Sequence, residues 1–94
     1  MSNQYLETCT FVEGWQDDYE TGGTYEYLKW TATKTECAEL VRRTEPTAIG
    51  ATYGRIRHEP YYSCYAEFGA TGKKLRCHTV HCEFETCLFN GKLL

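Results

Sequence analysis

Six cysteines in 94 residues restrict the fold of this chain more than any other feature of its sequence. Their number is even and well above ordinary usage, which is typical of a disulfide framework formed in an oxidising compartment. A chain of this length builds one hydrophobic core and has no room for a second. We therefore expect a single secreted domain, spanning residues 1–94 and stapled by disulfide bonds.

The net charge of the chain limits the classes of molecule that we expect it to bind. The net charge is −3 and the isoelectric point is near 5.6. Nucleic acids and anionic membranes are bound through clustered Lys and Arg side chains, so we expect neither as the main partner. The first four residues are polar and no apolar run follows them, so we expect no signal peptide and no membrane insertion. We interpret the sequence as a mature domain or an excised module.

Residues 33–46 have the clearest helical period, and we expect the rest of the chain to be organised around them. Thr33 and Glu36 have the spacing of a capping box, in which each side chain satisfies a backbone N–H group at the start of a helix. Pro46 disfavours helical geometry at the residue before it, so the helix should end near there. The apolar stripe consists of Cys37, Leu40 and Val41. Because so short a helix is marginal alone in water, we expect Cys37 to tether it.

Alternating apolar and polar residues predict β-strands on both sides of the helix. The predicted strands span residues 6–12, 48–54 and 61–68, with an extended segment at 24–30 and one or two closing strands within 75–89. Residues 61–68 are expected to form the central strand, with Cys64 on its core face. Residues 14–23 have the composition of a loop. One helix packed on one face of an antiparallel sheet is an α+β fold.

Six cysteines allow fifteen disulfide pairings, and one of them is favoured by the faces of the helix and strands on which the cysteines are predicted to lie. Cys37 on the buried helix face and Cys64 on the buried strand face are natural partners. Their bond would close a loop of about 27 residues and contribute on the order of 3.5 kcal/mol. Cys9 and Cys87 lie near the two ends of the fold, where adjacent terminal strands would bring them together.

Several stretches of the sequence resemble the PAN/apple-like modules of extracellular animal proteins, especially a variety found in marine invertebrates. The matching stretches are TxxECAxLV (33–41), IGATYG (49–54), CYAEFG (64–69), GWxDDxxxGG (14–23) and ETCLF (85–89). The resemblance spans nearly the whole chain. It implies a helix bridged to the central strand, in agreement with a Cys37–Cys64 bond, and a role in binding proteins or glycans. The chain departs from the common apple pattern at Val41, where a second helix cysteine is missing.

The segment from Cys77 to Cys82 holds two cysteines and two histidines, His78 and His81, within six residues. Thiolates and imidazoles are the ligands that zinc prefers, but adjacent Cys-His pairs on an extended chain point in opposite directions and do not close a tetrahedron easily. A catalytic Cys/His pair would need a free thiolate and an orienting group. We favour a local Cys77–Cys82 disulfide, which either replaces or adds to the missing helix bridge.

Asp17, Asp18 and Glu20 lie between glycines and could offer oxygen ligands to calcium, but their spacing is not that of an EF-hand. We interpret them as an acidic surface loop. Glu59 and Glu67 form no carboxylate pair that the sequence reveals, so glycosidase chemistry has no support. We expect no resident metal, no cofactor and no enzymatic activity.

Fourteen aromatic residues, eight of them tyrosines, indicate a binding surface. Aromatic side chains with polar tips stack on sugars or anchor protein partners. Because a single helix covers only one sheet face, we expect the other face to lie open to a ligand. The candidate ligand-binding residues are Trp15, Tyr53, Tyr61 and Tyr65. Tyr62 shares a face with Cys64, so we expect it to pack.

These observations favour a non-enzymatic extracellular module that binds a carbohydrate or a protein, with a lectin-like or adhesive role. The alternative is a structural or adhesive component of the extracellular matrix, in which tyrosines and disulfides serve cohesion. The sequence names neither the ligand nor the oligomeric state.

Overall fold

A computed structural model describes residues 9–16, 23–55, 59–69, 75–76 and 83–89; for residues 15–16 and 75–76 it describes the backbone alone. Within these ranges the chain forms seven strands and one helix. The elements are β1 (Val12–Glu13), β2 (Trp15–Gln16), β3 (Thr24–Trp30), α1 (Lys34–Thr44), β4 (Gly50–Gly54), β5 (Ser63–Phe68), β6 (Leu75–Arg76) and β7 (Phe84–Leu88). The predicted α+β class is confirmed, with α1 packed on an antiparallel sheet.

Five strands form the main sheet in the order β1-β7-β4-β5-β3, and β2 pairs with β6 in a separate two-stranded sheet. All described pairs are antiparallel. The central strand is β4, between β5 and β7, so the expectation that residues 61–68 form the centre is wrong. The closing strand β7 pairs on the far side of β4 and moves β5 one place toward the edge.

The helix begins and ends where its sequence predicts. Thr33 is the N-cap: its Oγ1 accepts a hydrogen bond from the Glu36 N–H at 3.1 Å, and Glu36 Oε1 accepts one from the Ala32 N–H at 3.0 Å. Glu45 is the C-cap, directly before Pro46. The reciprocal bonds satisfy orphan donors of the first turn, so the local sequence alone defines the start of α1.

Two disulfide bonds connect the elements as expected. Cys37–Cys64 ties α1 to β5, and Cys9–Cys87 ties the start of the described chain to β7 across 78 residues of sequence. Together with Val41, Ala51 and other small apolar residues these cysteines form the core between helix and sheet. The expected Cys77–Cys82 bond lies outside the described residues, as do Asp17, Asp18 and Glu20.

The two faces of the main sheet carry different residues. The helix-side face contains Ala51, Tyr53, Cys64, Ala66 and Cys87, and the far face contains Thr52, Ser63, Tyr65, Glu67 and Thr86. The alternation predicted for β5 is therefore confirmed, with Cys64 and Ala66 toward the helix. Both faces are buried at their centres.

The N-terminal part of the described chain differs from the prediction. A strand was expected over residues 6–12, but residues 9–11 have no regular structure and β1 consists of Val12 and Glu13 alone. Gly14 has a positive φ of 117°, a conformation that suits glycine and turns the chain out of β1. The expected loop at 14–23 in turn contains β2, because its backbone finds a partner in β6.

The small residues of β4 lie against two different neighbours. Ala51 lies in the core beside the helix. A Cβ at Gly54, however, would lie well under 3.0 Å from the backbone of Glu83 and Phe84. Gly54 is therefore required by the close approach of β7, not by the helix.

Candidate functional site

Tyr65, a predicted ligand-binding residue, is only 7% exposed. Its ring lies edge-on to Tyr25 at 5.8 Å and to Tyr27 at 5.6 Å between centroids, and Phe84 contacts it at 6.3 Å. Burial is the main cause that raises the pKa of its phenol. The expectation that Tyr65 reaches the surface is wrong, because aromatic neighbours on both sides cover it.

The other residues at the centre of the far face are buried polar side chains connected by hydrogen bonds. Thr52 Oγ1 donates to Glu67 Oε2 at 2.5 Å and lies 2.8 Å from Thr86 Oγ1, which donates to the Gly14 carbonyl at 2.9 Å. Glu67 is 1% exposed. Buried polar groups are stable only when hydrogen-bonded, and here the proton of each threonine hydroxyl has an acceptor: Glu67 for Thr52 and the Gly14 carbonyl for Thr86. The centre of the far face is therefore a polar interior and not an open binding surface.

Tyr53 lies partly buried on the helix side. Its hydroxyl donates to the Thr31 carbonyl at 3.1 Å, and its ring stacks on Tyr62 at 5.2 Å with an interplanar angle of 13°. Burial is the first cause that raises the pKa of this phenol, followed by the nearby Tyr62. Tyr53 thus supports the connection between β3 and α1 from behind. Tyr62 stacks on Tyr53, but at 37% it is almost as exposed as Tyr61, so the expectation that it packs away from solvent is wrong.

The structure describes the side chain of Tyr61 but only the backbone of Trp15, the two other predicted ligand-binding residues. Tyr61 is exposed, and its position is compatible with ligand contact. Trp15 pairs through its backbone with Arg76, and its side chain lies outside the described part of the structure. Among the described residues, no two of the four predicted ligand-binding residues lie in the same site.

The most exposed aromatic rings of the described chain lie on β3, which is an edge strand. Tyr25 is 59% exposed, Tyr27 51% and Trp30 57%. The pairing with β5 changes register between Tyr27 and Lys29, a β-bulge that places one extra residue in β3. Tyr25, Tyr27 and Trp30 consequently face Glu67, Tyr65 and Ser63, so all three aromatics occupy positions of the same sheet face.

Beside the end of β3 lies an open groove of about 480 Å³. Its lining residues are Lys29, Trp30, Thr31, Ala32, Glu36, Glu39, Leu40 and Arg43. The first four come from the end of β3 and the turn that follows, and the last four from the outer side of α1. The volume falls in the range of small-molecule sites, and the lining includes the exposed Trp30, two acidic and two basic residues.

The groove is held by local hydrogen bonds on both sides. Thr31 N–H donates to the Tyr62 carbonyl at 3.1 Å, and the Thr31 carbonyl accepts from Tyr53. On the helix side, Glu36 is fixed by the capping box, and Glu39 and Arg43 lie one turn apart. The backbone on both sides of the groove is therefore held in place, which limits the entropy lost on binding.

The sequence contained part of the signal for this site. The composition of residues 24–30 indicated an extended segment, and the alternation of Tyr25 and Tyr27 was visible. In a regular strand Trp30 would lie on the opposite face from Tyr25 and Tyr27, because it is an odd number of residues away from both. The bulge brings it to the same face. Glu39 and Arg43 lie outside the apolar stripe of the helix and are exposed, but that they line one groove with Trp30 depends on the tertiary structure.

Other kinds of site find no support among the described residues. They contain no group of three or more His, Cys, Asp or Glu side chains placed to hold a metal ion. In the same part of the chain, α1 is too short to span a bilayer, and no longer apolar helix is found.

Comparison with family models, with curated proteins and with solved structures yields no match to this chain. The resemblance to PAN/apple modules consequently rests on the sequence stretches alone. The disulfide between helix and strand agrees with that resemblance without demonstrating it.

Proposed function

We propose that this domain is a non-enzymatic extracellular recognition module that binds a carbohydrate in the groove between β3 and α1. The observation that carries the proposal is the half-exposed Trp30 in the lining of a groove that also contains two acidic and two basic residues. A large indole left in water beside polar groups is the arrangement that binding surfaces use for amphipathic ligands. Sugars are such ligands, since each ring has an apolar C–H face and a rim of hydroxyls.

The charges of the groove favour a neutral sugar. Glu36 and Glu39 can accept hydrogen bonds, and Lys29 and Arg43 can donate them. Hydroxyl groups both donate and accept, so they can use each of these side chains. A polyanion would meet two carboxylates, and a polycation two positive groups, so neither has a consistent advantage.

Secretion is part of this proposal. Two disulfide bonds in the described residues are compatible with an oxidising compartment, where glycans and matrix proteins are found. A membership of the PAN/apple-like modules would fit the same role, because those modules recognise glycans or proteins outside the cell.

The test is a glycan array with the oxidised protein, followed by calorimetry with a soluble monovalent glycan identified on the array. We expect Trp30→Ala to abolish measurable binding, because it removes the stacking surface. The matched control is Tyr25→Ala, which removes an equally exposed ring about 14 Å away on the same strand. Binding should survive in that control.

Two results would contradict the proposal. One is a flat array combined with strong adsorption to surfaces, which would favour the structural matrix component. The other is glycan binding that Trp30→Ala leaves intact, which would place the site elsewhere, for example at Tyr61 or Trp15.

A further inference from the structure

The groove between β3 and α1 has an aliphatic part in addition to Trp30. Two of its lining residues are Ala32, which is exposed, and Leu40, which is half-buried beside the core. A simple hexose has an apolar C–H face, and in the proposed function this face stacks on the indole. A sugar hydroxyl placed against Leu40 would lose water without gaining a hydrogen-bond partner, which is unfavourable. The aliphatic part therefore fits a sugar that carries an apolar substituent.

We propose that the groove selects neutral 2-acetamido hexoses and that α1 recognises the N-acetyl group. The methyl group contacts Leu40, the amide N–H donates to Glu36, and the amide carbonyl accepts from Arg43. This inference rests on the proposed function and specifies the class of sugar. An acetamido group carries one methyl, one donor and one acceptor on a single ring carbon, so each of the three has a matching side chain in the groove.

The three side chains follow one another along one side of α1. Leu40 lies four residues after Glu36 and three residues before Arg43, and these spacings make side chains neighbours on a helix surface. Leu40 is consequently flanked by an acceptor and a donor, with about 10 Å of helix axis between Glu36 and Arg43. A trans amide directs its N–H and its C=O to opposite sides, so it can use both groups. A single hydroxyl on the same ring carbon reaches only one of them.

Both charged side chains have hydrogen-bonding capacity left for a ligand. Glu36 Oε1 accepts the Ala32 N–H at 3.0 Å, which fixes the carboxylate at the groove, and a carboxylate accepts further hydrogen bonds. Arg43 is exposed and takes part in no ion pair in the described part of the chain. A fixed acceptor and a donor without another partner lower the cost of ordering the site around an amide.

The experiment is calorimetry of the oxidised full chain with methyl glycosides that differ only at the second ring carbon, in the gluco and the galacto series. The three ligands of each series carry an acetamido, a formamido or a hydroxyl group at that carbon. In at least one series the wild-type protein should bind the acetamido ligand about tenfold more tightly than the hydroxyl ligand. The formamido ligand keeps the amide and lacks the methyl, so it should bind about fourfold more weakly than the acetamido ligand.

Two variants assign the contacts. Leu40→Ala removes the surface for the methyl group, so the acetamido and formamido ligands should bind to it equally. Arg43→Met keeps a long side chain and removes the donor, so it should weaken the binding of both amides about tenfold and that of the hydroxyl ligand less. The control is Leu28→Ala, which shortens another half-buried leucine beside the core that does not line the groove. The preference for the acetamido ligand should survive in that control.

The comparison of ligands uses the wild-type protein, so it decides the inference even where a variant fails to fold. Acetamido ligands that bind no better than their hydroxyl counterparts in both series would overturn the inference. The proposed function would still stand if binding on the array required Trp30. Equal binding of the acetamido and formamido ligands to the wild-type protein, or a preference unchanged in Leu40→Ala and Arg43→Met, would also overturn the inference. A flat glycan array would overturn both the inference and the proposed function.

Discussion

The two faces of the main sheet are both buried, but they are held in different ways. On the helix-side face small apolar residues and two disulfide bonds form a thin core under α1. On the far face Thr52, Glu67 and Thr86 are just as inaccessible and are joined by hydrogen bonds. The helix-side face is stabilised by apolar burial and disulfide bonds, and the far face by hydrogen bonds of buried polar side chains.

This difference teaches that alternation in a strand does not identify which face meets water. Apolar residues alternate with polar ones in β4 and β5, which is typical of a half-buried sheet. Here the polar side is covered as well, by the aromatic rings around Tyr65 and by the chain near Gly14. The exposed aromatic and charged residues of the described chain are consequently found on the edge strand and on the helix, where we propose ligand contact.

The largest effect should come from the covalent link of the helix-side face. Replacing Cys37 and Cys64 by alanine removes a constraint across 27 residues and should lower the free energy of unfolding by about 2–5 kcal/mol. Urea unfolding measures it. Replacing Cys9 and Cys87 opens a longer loop but releases a terminal segment that can fray without freeing α1, so its loss should be smaller. The reverse order would show that packing alone holds the helix.

A middle-sized effect should come from the polar network of the far face. Thr52→Val keeps the shape of the side chain but removes the hydroxyl between Glu67 and Thr86, so it should cost about 1–3 kcal/mol. Thr52→Ser keeps the hydroxyl and is the control, with a smaller loss from the missing methyl. If valine proved neutral or stabilising in thermal unfolding, the network would contribute nothing and the two faces would be alike.

The smallest effect should appear only at alkaline pH. Burial raises the pKa of Tyr53 on the helix side and of Tyr65 on the far face. The unfolded chain ionises these phenols near pH 10, while the folded protein keeps them neutral. Their contribution to stability is therefore complete below pH 10 and is lost as the pH rises through the raised pKa values.

Phenylalanine variants separate the two faces in that experiment. Tyr65→Phe and Tyr53→Phe should each lessen the loss of stability between neutral pH and pH 11, relative to the starting value of the same variant. Tyr61→Phe, on an exposed ring, is the control. An unchanged alkaline decline in both buried variants would mean that other groups cause it.

Much of the fold was predictable, because it depends on neighbouring residues in the sequence or on which face of a helix or strand a side chain occupies. The capping box and the apolar stripe of α1 define its start and its buried side within a few residues of sequence. Cys37 and Cys64 could be paired because each lies on the apolar side of a periodic element. The same reasoning placed Tyr65 on the face away from the helix, correctly, but misjudged its exposure.

The sequence by itself determined the helix, its capping, the alternation of β5 and the bridge between them, since each depends on neighbouring residues or on side-chain period. Only the tertiary structure decided that β4 is central, that Glu67 is buried, and that Trp30 joins Tyr25 and Tyr27 on one face. The physical reason is that strand order, cover and bulges arise from pairing between segments far apart in the chain. The groove depends on the same pairing, because Trp30 and Arg43 come to line one groove only when β3 and α1 are both packed against β5.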